Sequence, residues 1–173
     1  MKRLLAFASI LITAAWSTHA ADTSVKLSNV HLCCGGCTKG VEKAVSGVSG
    51  ATVQCDKDAG TVAITAPDQA TAQKAVDALI ADGYFGTSSN PAITVAHKTG
   101  AEKGKIKSLK ISGVHLCCGK CVSAVNDAVT KVKGVKGTTA AKGAESFEVT
   151  GDFKAKPVFA ALNKAGFSGK VAN

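Results

Sequence analysis

Two tandem ferredoxin-like βαββαβ sandwiches, an α+β architecture, are predicted for this 173-residue chain by three features. The segment Val30-His31-Leu32-Cys33-Cys34-Gly35-Gly36-Cys37 returns 84 positions later as Val114-His115-Leu116-Cys117-Cys118-Gly119-Lys120-Cys121, with seven of eight residues identical. Val41, Ala44, Val45 and Val48 return at the same offset as Val125, Ala128, Val129 and Val132. Farther on, Leu79 and Gly83-Tyr84 correspond to Leu162 and Gly166-Phe167. Self-similarity at this spacing means two copies of one structural unit.

Each element follows from a local pattern. Val25–Val30 and Ile106–Val114 alternate as first strands, with Val25 and Leu27, or Leu109 and Ile111, on one side. The valine and alanine spacing of i, i+3, i+4, i+7 predicts an amphipathic helix starting near the second position after each Cys-Cys pair. Gly50-Ala51 and Gly134-Val135 end that helix and open a second strand. Thr61–Thr65 and Ser146–Thr150 read as third strands. Asp68–Ala81, opened by Pro67 and Asp68, and Lys156–Ala165 read as second helices. A short last strand follows each Gly-aromatic pair. The first unit therefore covers residues 21–90 and the second 106–173. Residues 91–105, with Pro91, Gly100 and Gly104, form a linker; extension of the last strand over Ile93–Val95 is the alternative.

Residues 1–20 have the order of a secretory signal peptide. A basic start (Lys2, Arg3) precedes the apolar stretch Leu4–Trp16, and Thr18-His19-Ala20 suits cleavage after Ala20. Thirteen mostly apolar residues are too few to span the roughly 30 Å of bilayer hydrocarbon, so the expected product is exported, to the periplasm or outside the cell, with no membrane insertion. Its charge is +7, carried entirely by lysine, since Arg3 leaves with the leader. Scattered lysines without Arg forks or interleaved aromatics argue against nucleic acid as a partner. The run Lys98, Lys103, Lys105, Lys107 and Lys110 fits a solvated linker. Carboxylate pairs, Ser/His/Asp sets, phosphate-cradling loops and dinucleotide fingerprints do not stand out, so no catalytic site is expected.

Chemistry is concentrated in the cysteines. Six of the seven fall in two C-C-G-x-C triplets, each at a strand-to-helix junction. The i, i+3 spacing of Cys34/Cys37 and Cys118/Cys121 lets two sulfurs converge, and a helix N-terminus favours the thiolate. Thiolates are soft donors suited to Cu(I), Zn(II) or Hg(II). Cys33 and Cys117 offer a third sulfur per loop, although an extended backbone turns vicinal side chains apart. His31 and His115, at identical offsets, are candidates to assist. Cys55 has no counterpart, Thr139 falling near its place, and reads as a half-buried strand thiol.

The C-x-x-C after a first strand, the Val-rich helix and the late Gly-Tyr resemble the heavy-metal-associated domain family. That family includes copper chaperones, the N-terminal modules of copper-transporting ATPases and a periplasmic mercury-binding protein. The resemblance covers both repeats and implies the βαββαβ fold, with metal held by Cys34/Cys37 and Cys118/Cys121. It also implies that Tyr84 and Phe167 sit near the metal loops. The family's G-M-x-C-x-x-C departs here to His31-Leu32 and His115-Leu116, Leu serving as the buried plug, and the variable position becomes Cys33 or Cys117. A third sulfur slows release, closer to a scavenger than a shuttle. The expected function is an exported soft-metal-ion binder, Cu(I) favoured, with one ion per loop held by Cys33, Cys34 and Cys37 or Cys117, Cys118 and Cys121. The positive charge suits an acidic protein partner for transfer. The rival reading is thiol–disulfide exchange through the same C-x-x-C pairs, which lack a thioredoxin-like βαβ layout and its cis-Pro wall.

Overall fold

The structure, a computed structural model, describes residues 22–172; the leader expected over residues 1–20 lies outside them. The first half runs β1 (Thr23–Ser28), α1 (Gly35–Ser46), β2 (Thr52–Asp56), β3 (Thr61–Ala66), α2 (Gln69–Ala81) and β4 (Thr87–Ser88). The second repeats it as β5 (Lys105–Ser112), α3 (Gly119–Thr130), β6 (Val135–Thr138), β7 (Ser146–Lys154), α4 (Ala155–Lys164) and β8 (Lys170–Val171). The antiparallel sheets have strand orders β2-β3-β1-β4 and β6-β7-β5-β8, so each half is a ferredoxin-like sandwich.

Alternation places the core. In β1, Val25 and Leu27 are buried while Ser24, Lys26 and Ser28 face away; Val62 and Ile64 in β3 repeat the pattern. The helices cover that apolar face with Val41, Val45, Val76 and Leu79, and their counterparts Val125, Val129, Phe159 and Leu162 do so in the second half. Asp68 caps α2, its carboxylate accepting the Thr71 N–H at 2.7 Å.

Some elements differ from the sequence patterns. β5 stops at Ser112 because Gly113 turns left-handed (φ 72°), as Asn29 does (φ 59°) after β1. β7 runs on to Lys154 through an irregularity at Gly151, where β5 and β6 both shift register. There a Cβ on Gly134 would lie 2.0 Å from Asp152 O, and one on Gly151 2.0 Å from Gly134 O. The stretch after β4 forms no strand at Ile93–Val95. It docks on α2, with the Gln73 side chain exchanging hydrogen bonds with the Thr94 backbone (both 2.8 Å) and Ile93 buried. The lysines from Lys98 to Lys110 are exposed, Lys105 pairing with Asp152 at 2.8 Å.

Candidate metal centre

The two halves meet face to face at their cysteine loops. Tyr84 and Phe167 pair as an antiparallel bridge. Around it, the Phe85 N–H donates to Gly166 O at 3.1 Å and the Ser168 N–H donates to Gly83 O at 3.0 Å, a reciprocal pair under the internal repeat. His31 stacks on Phe167 (centroids 4.4 Å) and His115 on Tyr84 (4.6 Å), each histidine lying on the other half's aromatic ring. Glycine makes this approach feasible. A Cβ on Gly83 would stand 2.3 Å from His115 N, and one on Gly166 2.4 Å from His31 N. Both also have left-handed φ (93° and 86°) where they end α2 and α4.

This docking gathers all six triplet sulfurs. Cys34 and Cys118 are the N-caps of α1 and α3, in extended conformation, so their loops present sulfur at helix N-termini. Cys33 reaches toward the other half while its sulfur stays within 4.8 Å of that of Cys34. Its Sγ lies 3.3 Å from that of Cys118 and 3.4 Å from that of Cys121, nearer than the 3.6 Å to Cys37. Cys34 lies 3.8 Å from Cys117 and 3.9 Å from Cys118, while Cys37 lies 3.6 Å from Cys117 and 3.8 Å from Cys121. Within the loops, Cys34–Cys37 is 3.9 Å, Cys118–Cys121 is 3.8 Å and Cys117–Cys121 is 3.7 Å. Sulfurs of the two loops are therefore as close to one another as those of one loop. All seven cysteines are free thiols. Leu32 and Leu116 are buried beneath the loops.

The surroundings divide the thiols. Cys37 and Cys121 are wholly buried, and the Cys121 thiol donates toward Cys37, holding Cys37 far below an ordinary thiol; a hydrogen bond from His115 adds to this. Cys121 is correspondingly pushed up. Backbone N–H of Cys121, then the Cys33 thiol, draw Cys118 down to about 6. Burial pushes Cys33 up to about 12 and Cys117 also upward. Cys55 stands apart in β2, half-buried, its thiol raised to about 11 by burial and by Glu42. At pH 7 Cys118 is thus mainly thiolate and Cys55 almost wholly thiol. Limited alkylation of the reduced, metal-free protein by iodoacetamide is expected to label Cys118 well before Cys55, as peptide mass spectrometry will read; equal rates would contradict this ordering.

The histidines differ in one respect that the repeat hides. Tyr84 donates its hydroxyl to Cys37 O at 2.9 Å and lies 3.1 Å from His115 Nε2. The equivalent ring, Phe167, has no hydroxyl, and His31 Nε2 is buried with no hydrogen-bond partner. Burial holds the His31 pKa below its ordinary value, so the ring is neutral. A ring nitrogen of His31 lies within 4.8 Å of the sulfurs of Cys33 and Cys121. Gly40 completes the contrast: a Cβ there would lie 2.2 Å from the Tyr84 hydroxyl, whereas the equivalent position opposite Phe167 is Ala124. Gly83 and Gly166 stand out in the sequence only as matched repeat positions, and sequence reasoning passes over Gly40. The available signal was the paired change Gly40/Tyr84 to Ala124/Phe167 between repeats.

No protein-family model matches the chain, and no curated protein does. Similar solved structures include a copper-binding domain from HMA7, a P-type ATPase (20% identity, 39% of this chain and 96% of that one, TM-score 0.37). Another is the yeast copper transporter domain Ccc2a (17%, 39% and 97%, 0.36). The N-terminal soluble domains of Bacillus subtilis CopA extend over both halves (16%, 88% and 95%, 0.33). By its own strand order and helix placement, this chain is two ferredoxin-like sandwiches in tandem, closed on each other over six cysteines.

Proposed function

We propose that the protein is an exported binder of thiophilic metal ions, with Cu(I) the favoured ion and Zn(II) and Hg(II) the alternatives, acting as a scavenger or metal chaperone. The observation that carries this reading is the convergence of Cys33, Cys34, Cys37, Cys117, Cys118 and Cys121 as free thiols, in groups of three within 4.8 Å. Soft sulfur donors favour Cu(I) over harder ions, and a neutral His31 beside them is a compatible further donor. The resemblance of the C-x-x-C loops to heavy-metal-associated domains supports the same assignment, and the leader-like residues 1–20 support export. An ion can approach Cys117 along a surface groove of about 590 Å³ whose wall includes Asp82, His115 and Glu145. The lysine-rich surface favours an acidic protein as transfer partner. No helix of the described residues is long and apolar enough to cross a membrane.

Anaerobic purification followed by thiol counting and elemental analysis tests the reading. Copper retained against dialysis, and lost when all six triplet cysteines become serine, is the expected result. A fully reduced protein that takes up no soft metal, and whose C-x-x-C pairs instead oxidise reversibly in a glutathione buffer, would establish thiol–disulfide exchange in its place.

A further inference from the structure

We infer that the six cysteines form one shared site, built three and three from the two halves, that holds a cluster of four Cu(I) ions with every sulfur bridging two of them. The inference rests on the metal-binding reading above and goes beyond one ion per loop.

The argument is geometric. The sulfur contacts close into the triangular faces of one cage, and four alternate faces are Cys33/Cys34/Cys118, Cys34/Cys37/Cys117, Cys117/Cys118/Cys121 and Cys33/Cys37/Cys121. The first three are groups whose sulfurs all lie within 4.8 Å of one another. The fourth has sides of 3.6, 3.4 and 3.8 Å. Each sulfur belongs to two of the four triangles, and adjacent triangles share one corner. The sulfurs thus stand as the corners of an octahedron-like cage, and the triangles are its alternate faces. With metal–sulfur bonds of about 2.3 Å, as in zinc thiolates, three sulfurs around a trigonal ion stand about 4 Å apart. All sides except the two vicinal ones measure 3.3–3.9 Å, within a small expansion of that spacing, and the vicinal sides Cys33–Cys34 and Cys117–Cys118 lie within 4.8 Å. A closed-shell Cu(I) ion accepts trigonal thiolate coordination, and a thiolate has lone pairs enough to bridge two ions.

Three of the four faces mix sulfurs from both halves; only Cys117/Cys118/Cys121 lies within one loop. Cys33 and Cys117 matter most in distinguishing the alternatives. Without them two C-x-x-C pairs remain, sufficient for two ions but not for a cage. The charge balance is simple: four Cu⁺ and six thiolates give a cluster of net charge −2, each sulfur still protonated before binding releases its proton to solvent, and no oxidation state changes. Lys120, exposed in the second loop and next to Cys121 in the chain, brings one positive charge to that loop.

The test is an anaerobic titration of the reduced full protein with Cu(I) buffered by a competing chelator, joined to X-ray absorption of the loaded form. Four ions per chain, taken up cooperatively and showing a short copper–copper vector with sulfur-only or sulfur-plus-one-nitrogen shells, are expected. The Cys33→Ser/Cys117→Ser double variant should fall to two ions per chain and lose the copper–copper vector. Two ions in the unaltered protein, with no metal–metal vector, would overturn the shared cluster and leave the metal-binding reading standing. No uptake at all would overturn both. If the double variant fails to fold, the absorption spectrum of the unaltered protein decides alone.

Discussion

Gly166→Ala, and likewise Gly83→Ala, is expected to open the contact between the two halves. The new Cβ meets backbone rather than a flexible side chain, at 2.4 Å from His31 N for Gly166 and 2.3 Å from His115 N for Gly83. No rotamer change relieves that clash. The left-handed φ at each position adds strain of about 1–2 kcal/mol for a residue bearing a Cβ. Separation of the halves is the least costly relaxation, because each keeps its own apolar core. The backbone N–H groups of Phe85 and Ser168 donate across the contact and should exchange with solvent much faster in either variant. Amides of α1 and α3 should stay protected. Small-angle scattering should show a larger radius of gyration. Unchanged exchange at Phe85 and Ser168 would mean that these glycines do not hold the halves together.

The second large effect reverses the usual consequence of replacing a helical glycine. Alanine in place of Gly40 would ordinarily stabilise α1 by about 1 kcal/mol. Here its Cβ would stand 2.2 Å from the Tyr84 hydroxyl and drive it away from Cys37 O and His115 Nε2. Losing buried hydrogen bonds of this kind costs about 1–3 kcal/mol, so Gly40→Ala should destabilise the protein. Tyr84→Phe should also destabilise it, by removing the same hydroxyl. The double variant reproduces the Ala124/Phe167 pair of the second half and removes the clash. Its stability in urea should lie well above the sum of the two single changes, with a coupling of about 1–3 kcal/mol. Strict additivity would show that the hydroxyl and the glycine do not share that space.

The element order is legible in the sequence because each strand and helix carries its own period: Val25/Leu27, Val62/Ile64 and Val41/Val45 declare which face is inward without reference to anything distant. The six cysteines are legible for the same reason, being adjacent in sequence. Their common meeting point is not. It depends on how two finished surfaces dock, and that contact is made by Gly83, Gly166 and backbone N–H groups, which leave no hydrophobic pattern. Cys33 shows the difference well. The sequence predicts that it points away from Cys34, yet its sulfur stays within 4.8 Å of that of Cys34 and also reaches Cys118 and Cys121 of the other loop. The docking of Ile93 and Thr94 on α2 was hidden similarly, since Gln73 reads as an ordinary exposed helix residue until its partner is known.

The connector between the halves has a consequence for concentration. Ions that need thiolates from two separate molecules are released as those molecules are diluted. Here Cys33 and Cys118 belong to one chain, joined through residues 89–104, and a short tether of this kind supplies an effective concentration in the millimolar range. Ion capture across the two loops is then a first-order closing of one molecule. It is independent of how much protein is present.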